Sequence, residues 1–101
     1  MNRHGIEMPG EKIVEFCKRN HIRRLALFGS ILQDEFHPDS DVDMLVEFET
    51  GQTPSLFKMA GLEIELTKLI GRKVDLRTPA ELSRYFREEV ISHSEVQYEE
   101  R

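Results

Sequence analysis

The sequence predicts an α/β domain, and three observations carry that expectation. Two strand-like stretches, centred on Leu25-Ala26-Leu27-Phe28 and on Val42 to Phe48, are flanked by segments with apolar residues at three- and four-residue spacing. Proline, glycine and hydroxyl residues fall at the ends of those segments, where helices need starts and stops. Read in sequence, the elements run α-β-α-β-α-β-α, an alternation that builds a sheet of at least three strands with helices against it. At 101 residues the chain is one domain's length, and 39% hydrophobic against 33% charged residues suffices for a small core.

Residues 1–8 read as a flexible lead-in and residues 9–101 as the folded domain. Pro9-Gly10 punctuates the start of an amphipathic helix over Glu11 to Asn20, whose Ile13, Phe16 and Cys17 share one face. Ile22 to Phe28 follows, with an apolar centre that suits a strand covered on both sides. Gly29-Ser30 ends it, and a brief helix is expected just after Ser30. Asp41 to Phe48 alternates, with Val42, Met44, Val46 and Phe48 opposed to Asp41, Asp43, Leu45 and Glu47. Beyond Gly51, Thr53-Pro54 offers a hydroxyl cap and a proline at the first helical position. The helix it opens carries Leu56, Met59, Leu62, Leu66 and Leu69 and stops at Gly71. Lys73 to Arg77 is a short third strand with Val74 and Leu76 on its apolar face. Thr78-Pro79-Ala80-Glu81 is a capping box opening a last helix with Leu82, Phe86 and Val90 on one stripe, and Gln97 to Arg101 is expected to fray.

Composition excludes several functions. With 14 Lys+Arg against 19 Asp+Glu the net charge is −5, so the chain is not expected to hold duplex nucleic acid through its phosphates. One cysteine, Cys17, rules out an internal disulfide framework and fits a reducing, cytoplasmic compartment. No apolar run approaches the roughly 20 residues that a membrane-spanning helix needs. Met1 to Gly10 contains Arg3, His4 and Glu7 and no apolar stretch of the kind a signal peptide carries. His4, His21, His37 and His93 are scattered and share no metal-ligand spacing with one another or with Cys17. Cys17 is expected in the core, Tyr85 and Phe86 in packing, and Glu63, Glu65 and Lys68 on a solvated helix face; Phe57 lies off the main stripe.

The stretch that carries chemistry is Leu27-Phe28-Gly29-Ser30, ten residues, then Asp41-Val42-Asp43. A buried strand ending in Gly-Ser before a helix presents backbone N–H groups and a hydroxyl to a phosphate, and glycine lets the ligand come close. The same residues also suit a plain turn with a serine cap. Asp41 and Asp43, two apart on a strand, project carboxylates to one face at Cα atoms roughly 7 Å apart. Like charges so placed repel unless a cation lies between them, and a hard divalent ion such as Mg²⁺ takes one or two carboxylates together with phosphate oxygens. The alternative has Asp41 closing the Pro38-Asp39-Ser40 turn and Asp43 facing solvent. Asp75 sits between Val74 and Leu76, where aspartate has poor strand propensity. If its strand lies beside Asp43, three carboxylates surround a pair of metals about 4 Å apart, as in-line phosphoryl displacement uses; otherwise Asp75 pairs with Lys73 or Arg77.

Gly29-Ser30-x10-Asp41-x-Asp43, with hydrophobic strands before and between, resembles the signature of the DNA polymerase beta-like nucleotidyltransferase superfamily. More narrowly, Pro38 to Phe48, Leu56-Phe57-Lys58, Gly71 to Leu76 and Leu82 to Arg87 resemble the minimal nucleotidyltransferases that serve as antitoxins in HEPN/MNT toxin–antitoxin pairs. The resemblance covers roughly residues 10–98. It implies a small mixed sheet flanked by helices, with Gly29 and Ser30 holding the triphosphate of ATP, and Asp41, Asp43 and Asp75 as catalytic ligands of two Mg²⁺ ions, Asp75 also assisting the attacking hydroxyl. It further implies AMP transfer from ATP to a tyrosine of a cognate HEPN ribonuclease toxin, or, without catalysis, an antitoxin that masks the toxin by binding. The chain departs from many such relatives in having Ile31-Leu32-Gln33-Asp34 where they carry an arginine after Gly-Ser. Positive charge for the phosphates is then expected from Arg77, Lys73 or Arg72, or from the partner. Since the third strand is followed by only about 24 residues, the acceptor site is expected to be built by a bound protein.

Overall fold

In the computed structural model the chain runs β1 (Asn2–Arg3), β2 (Ile6–Glu7), α1 (Gly10–Arg19), β3 (Ile22–Phe28), a 3-10 turn (Gly29–Leu32), β4 (Val42–Phe48), α2 (Leu56–Ile70), β5 (Val74–Arg77), a second 3-10 turn (Pro79–Glu81), α3 (Arg87–His93) and β6 (Glu95–Glu99). The structure describes residues 2, 3, 6–33, 37 and 39–100; Met1, His4, Asp34, Pro38 and Arg101 of the sequence reading lie outside them.

The apolar runs form the middle of a four-stranded sheet in the order β5-β4-β3-β6. Strands β3 and β4 pair antiparallel, β3 and β6 antiparallel, and β4 and β5 parallel. The sheet is therefore mixed, as the sequence implied. Alternation assigns its two faces. Leu25, Leu27, Val42, Met44, Val46, Val74 and Leu76 join Ile13, Phe16 and Cys17 of α1 and Leu62, Leu66 and Ile70 of α2 in one buried cluster. The opposite face carries Ala26 and Phe28 of β3, Asp43 and Leu45 of β4, and Asp75 and Arg77 of β5, set side by side by the strand register. Stability thus resides on one face and charge on the other.

Five local expectations are corrected. Within the expected lead-in, Asn2–Arg3 pair antiparallel with Ile6–Glu7, and Ile6 and Met8 are buried in the core cluster. The start of α2 lies two residues later than Thr53-Pro54 suggested, because the Ser55 hydroxyl accepts the Lys58 N–H and takes the capping role. Its buried stripe is Leu62, Leu66 and Ile70, while Leu56 is 86% exposed. The Thr78–Glu81 capping box forms, but it closes only a 3-10 turn. Arg87 ends that turn: its guanidinium donates to the carbonyls of Pro79 (2.8 Å) and Leu82 (3.0 Å), which a continuing helix would have used. The stripe of Leu82, Phe86 and Val90 is consequently broken, and Phe86 is 61% exposed. Finally, Gln97 to Glu99 of the end expected to fray belong to β6 (Glu95–Glu99), whose Val96 and Tyr98 lie opposite Ala26 and Leu25.

Strand β5 is an edge, and its outward N–H groups need acceptors. Two residues of α2, one turn apart, supply them. Thr67 Oγ1 accepts the Val74 N–H at 3.0 Å, and Glu63 Oε2 accepts the Leu76 N–H at 2.8 Å. Glu63 is therefore a structural acceptor rather than part of a solvated face, and together with Thr67 it brackets Asp75. Replacing Glu63 with Ala strands the Leu76 amide and is expected to cost about 1–2 kcal/mol in urea unfolding. Glu63→Gln keeps an acceptor and is expected to cost less than Glu63→Ala.

Candidate active site

The site forms where β3 ends. Phe28 lies opposite Asp43 in the β3–β4 ladder, and Asp43 lies opposite Asp75 in the β4–β5 ladder. The adjacency of the second and third strands, on which the sequence reading of Asp75 depended, is thus met. Gly29 follows Phe28 with φ +77°, and a Cβ built there falls 2.5 Å from Asp43 Oδ2. Glycine is required twice over at this corner, for its left-handed backbone and for the carboxylate lying against it.

Beyond Gly29 the expected helix is a four-residue 3-10 turn, Gly29–Leu32, with Ser30 partly exposed in it and Ile31 buried. The turn has no sustained helix dipole, so any affinity for phosphate comes from its local N–H groups and the Ser30 hydroxyl. Asp41 lies just before β4, in a lead-in fixed at both ends. The Val42 N–H donates to the Lys73 carbonyl at 2.8 Å, and Arg72 Nη2 donates to the carbonyls of Ser40 (2.8 Å) and His37 (3.2 Å). Arg72 therefore holds the segment that delivers Asp41.

The electrostatics are unbalanced. Asp43 is pushed above its ordinary carboxylate value, first by burial and then by the negative charges of Asp75 and Asp41, with Arg77 opposing in part. Asp75 Oδ2 is ion-paired with Arg77 Nη2 at 3.1 Å, and Asp41 Oδ2 with Lys73 Nζ at 3.6 Å. Both flanking carboxylates thus turn to a basic partner while Asp43 stays on Gly29. Among the described residues, no three His, Cys, Asp or Glu side chains are gathered into a formed metal site. Of the three cations expected near the phosphates, Lys73 and Arg77 stand beside the carboxylates and Arg72 serves the loop.

The sequence reading missed an open cleft of about 710 Å³ alongside Gly29, lined by Phe28, Leu32, Phe86, Val90 and His93. Its signal was present only as Phe86, five residues past the end of a capping box, and could not be separated from packing. On α2, Phe57 is 91% exposed and Leu56 nearly as much. Among the described residues no helix is long and apolar enough to cross a membrane.

A glycine corner against a strand-borne aspartate, with a parallel neighbour supplying a further carboxylate, sets the site on an α/β domain with a mixed sheet. The particular family follows from comparison: residues 11–97 match the nucleotidyltransferase domain family, and the chain belongs to it. It is similar to the protein adenylyltransferase MntA of Thermococcus cleftensis, 45% identical over 62 residues, which are 61% of this chain and 61% of that protein. The aligned part thus spans about three fifths of that relative. In fold it is similar to a crystal structure of a toxin–antitoxin with AMP-PNP, at a TM-score of 0.72 and 22% identity, over 92% of this chain and 75% of that one. It is also similar to the complex of tri-AMPylated Shewanella oneidensis HEPN toxin with MNT antitoxin, at a TM-score of 0.64 and 20% identity, over 90% of this chain and 70% of that one.

Two outcomes test this geometry. Because Asp43 binds its proton more tightly folded than unfolded, stability falls as pH rises from its ordinary value near 3.8 through the raised folded value. Asp43→Asn is therefore expected to melt a few degrees higher than the native chain at pH 7, with the advantage vanishing below about pH 4 in a pH series of thermal melts. Gly29→Ala is expected to lose about 1–3 kcal/mol in chemical denaturation, through its positive φ and the displaced Asp43 carboxylate.

Proposed function

We propose that the protein is an antitoxin adenylyltransferase, transferring AMP from ATP to a tyrosine hydroxyl of a HEPN toxin in the cytoplasm, and that Gly29, Ser30, Asp41, Asp43 and Asp75 do the chemistry. The observation that carries the reading is the register that puts Asp43 beside Asp75 and against Gly29. A phosphate-approach corner and an acid crowded by two other carboxylates then occupy one spot. Family membership supports it, as do the similarity to the Thermococcus protein adenylyltransferase and the AMPylated toxin bound to the Shewanella antitoxin.

In this reading the Gly29 turn and the Ser30 hydroxyl receive the β- and γ-phosphates. Asp75 accepts the proton of the acceptor hydroxyl. The hydroxyl oxygen forms a bond to the α-phosphorus, the bond from that phosphorus to its bridging oxygen breaks, and pyrophosphate leaves with the electron pair. Lys73 and Arg77 are freed from Asp41 and Asp75 to meet phosphate charge. The donor set fits Mg²⁺: all three candidates are hard carboxylate oxygens, and Asp43, raised first by burial and then by Asp75 and Asp41, carries a cost that a divalent cation would offset. Asp41, Asp43 and Asp75 would hold it, as two ions, and it would supply neutralisation of the phosphate charge that builds up on the leaving group.

Masking by binding alone is the competing reading, favoured by the outward pairing of Asp41 and Asp75 and by the exposed Leu56 and Phe57. Incubation with α-labelled ATP, Mg²⁺ and a cognate HEPN toxin separates the two. Label is expected on the toxin with the native chain and reduced at least about a hundredfold with Asp43→Asn. Full protection of cells by the double variant Asp41→Asn, Asp43→Asn establishes masking instead.

A further inference from the structure

We propose that the outward face of α2 is a self-association surface on which a second copy of this chain docks, the two helices running antiparallel about a two-fold axis near Gly61. The inference goes beyond the nucleotidyl-transfer reading and does not depend on it.

Helix α2 is apolar on two opposite sides. Leu62, Leu66 and Ile70 face the core, whereas helical spacing gathers Leu56, Phe57, Ala60, Gly61 and Ile64 on the other side, where all five are exposed. Helix α1 shows the ordinary arrangement. Opposite its buried Ile13, Phe16 and Cys17 it presents Glu11, Lys12, Glu15 and Lys18 to water. A helix that is apolar all round belongs inside protein, and one chain covers only half of α2. Phe57 is 91% exposed, Leu56 86% and Ile64 58%. With the small residues between them they present on the order of 500 Å² of apolar surface, so two copies face to face bury about 1,000 Å², the area at which a specific interface begins.

Gly61 and its neighbours say what covers this face. Glycine inside a helix lowers the helix's stability, and a Cβ at Gly61 would meet nothing within 4 Å. The packing of a single chain therefore does not call for glycine there. The approach of another helix does: with no side chain at Gly61 and a methyl at Ala60, two backbones can pack at the close end of helix spacing, about 8 Å. Phe57 and Ile64 stand one turn to either side of that point. A two-fold axis near Gly61 sets Phe57 of each copy against Ile64 of the other, so the same face supplies both the knob and its seat. Lys58 and Lys68, both exposed, lie at the margins of the patch and keep their charges in water. Because the opposite side of α2 packs on the apolar face of the sheet, a copy seated here leaves Asp41, Asp43 and Asp75 uncovered. A partner that presents a group to those carboxylates belongs on the other face.

Sedimentation equilibrium of the full chain over a range of concentrations tests the proposal. The native chain is expected to be a dimer with a dissociation constant in the micromolar range, as suits an interface of this small area. Phe57→Asp puts a charge into the interface twice per dimer and is expected to raise that constant at least about a hundredfold. Gly61→Leu is expected to do the same by forcing the helices apart. It is also expected to keep the native circular dichroism and cooperative unfolding, because nothing in one chain lies within 4 Å of the new Cβ. Should Phe57→Asp fail to fold, Gly61→Leu decides alone. A native chain that stays monomeric at every concentration, or a dimer that Gly61→Leu leaves intact, overturns the proposal. So does a monomeric native chain whose binding of a HEPN toxin is lost in Gly61→Leu, a result that gives this face to the toxin.

Discussion

The rest of the structure is organised around one electrostatic cost: Asp43 held between Asp41 and Asp75, half out of water, with its carboxylate against the Gly29 backbone. Nothing in the fold of the sheet requires an acid there. On the same strand, Val42, Met44 and Val46 face the core and are fully buried, and they are what keeps β4 in place while Asp43 repels its neighbours. The parallel pairing with β5 enforces the repulsion, because it brings Asp75 level with Asp43 rather than letting it slide a residue away. A slip of one residue would swing Asp75 into the core and Val74 or Leu76 out of it, so the apolar residues of β5 fix the acid as firmly as they fix themselves.

Support for that register comes from α2 as much as from the sheet. The bonds from Val74 and Leu76 to Thr67 and Glu63 clamp the edge strand on either side of Asp75. Arg72 does the corresponding work for Asp41 by gripping two carbonyls of the loop that leads into β4. Each acid is thereby placed by backbone contacts one or two residues away, leaving its own carboxylate free to change partners. The ion pairs with Lys73 and Arg77 are solvent-accessible at both ends and so are individually weak. Weak pairs that a more highly charged ligand can replace are suited to a site that must bind and release.

How much of this was legible in the sequence depended on whether the signal was local. The alternation in Val42 to Phe48 and the apolar centre of Leu25 to Phe28 report burial directly, and both strands stand where those patterns place them. Gly71 at the end of α2 adopts the left-handed conformation that its position implied. The misses all turned on partners distant in sequence or on competing caps. Ser55 took the capping role two residues beyond Thr53 by accepting the Lys58 N–H; Arg87 removed carbonyls from a helix whose capping box was otherwise correct. Glu95 to Glu99 had a strand's alternation in Val96 and Tyr98, but its charged positions match a solvated tail equally well, and only the free edge of β3 makes it a strand. For the site, the identity of the acids was readable from spacing. Their convergence was not, because it depends on which strand lies beside which. Glu63 was misread for the same reason: its acceptor role exists only once β5 is known to be an edge.

The two faces of the sheet also explain why so small a chain can carry a reactive site at all. Helices α1 and α2 pack on one face and bury the large side chains, so the opposite face contributes little to stability and can hold Asp43, Asp75 and Arg77. Among the described residues the elements that reach that second face are short, the turn at Pro79–Glu81 and the seven residues of α3. Ala26 and Leu45 are buried there, while the acids on the same face stay partly exposed. A face covered in this partial way holds its geometry and still leaves Asp41, Asp43 and Asp75 partly exposed. The exposed Leu56 and Phe57 belong to the helix on the first face. A partner that touched them would have to wrap past the β5 edge to reach Asp75, and that path runs along the strand that Glu63 and Thr67 hold in place.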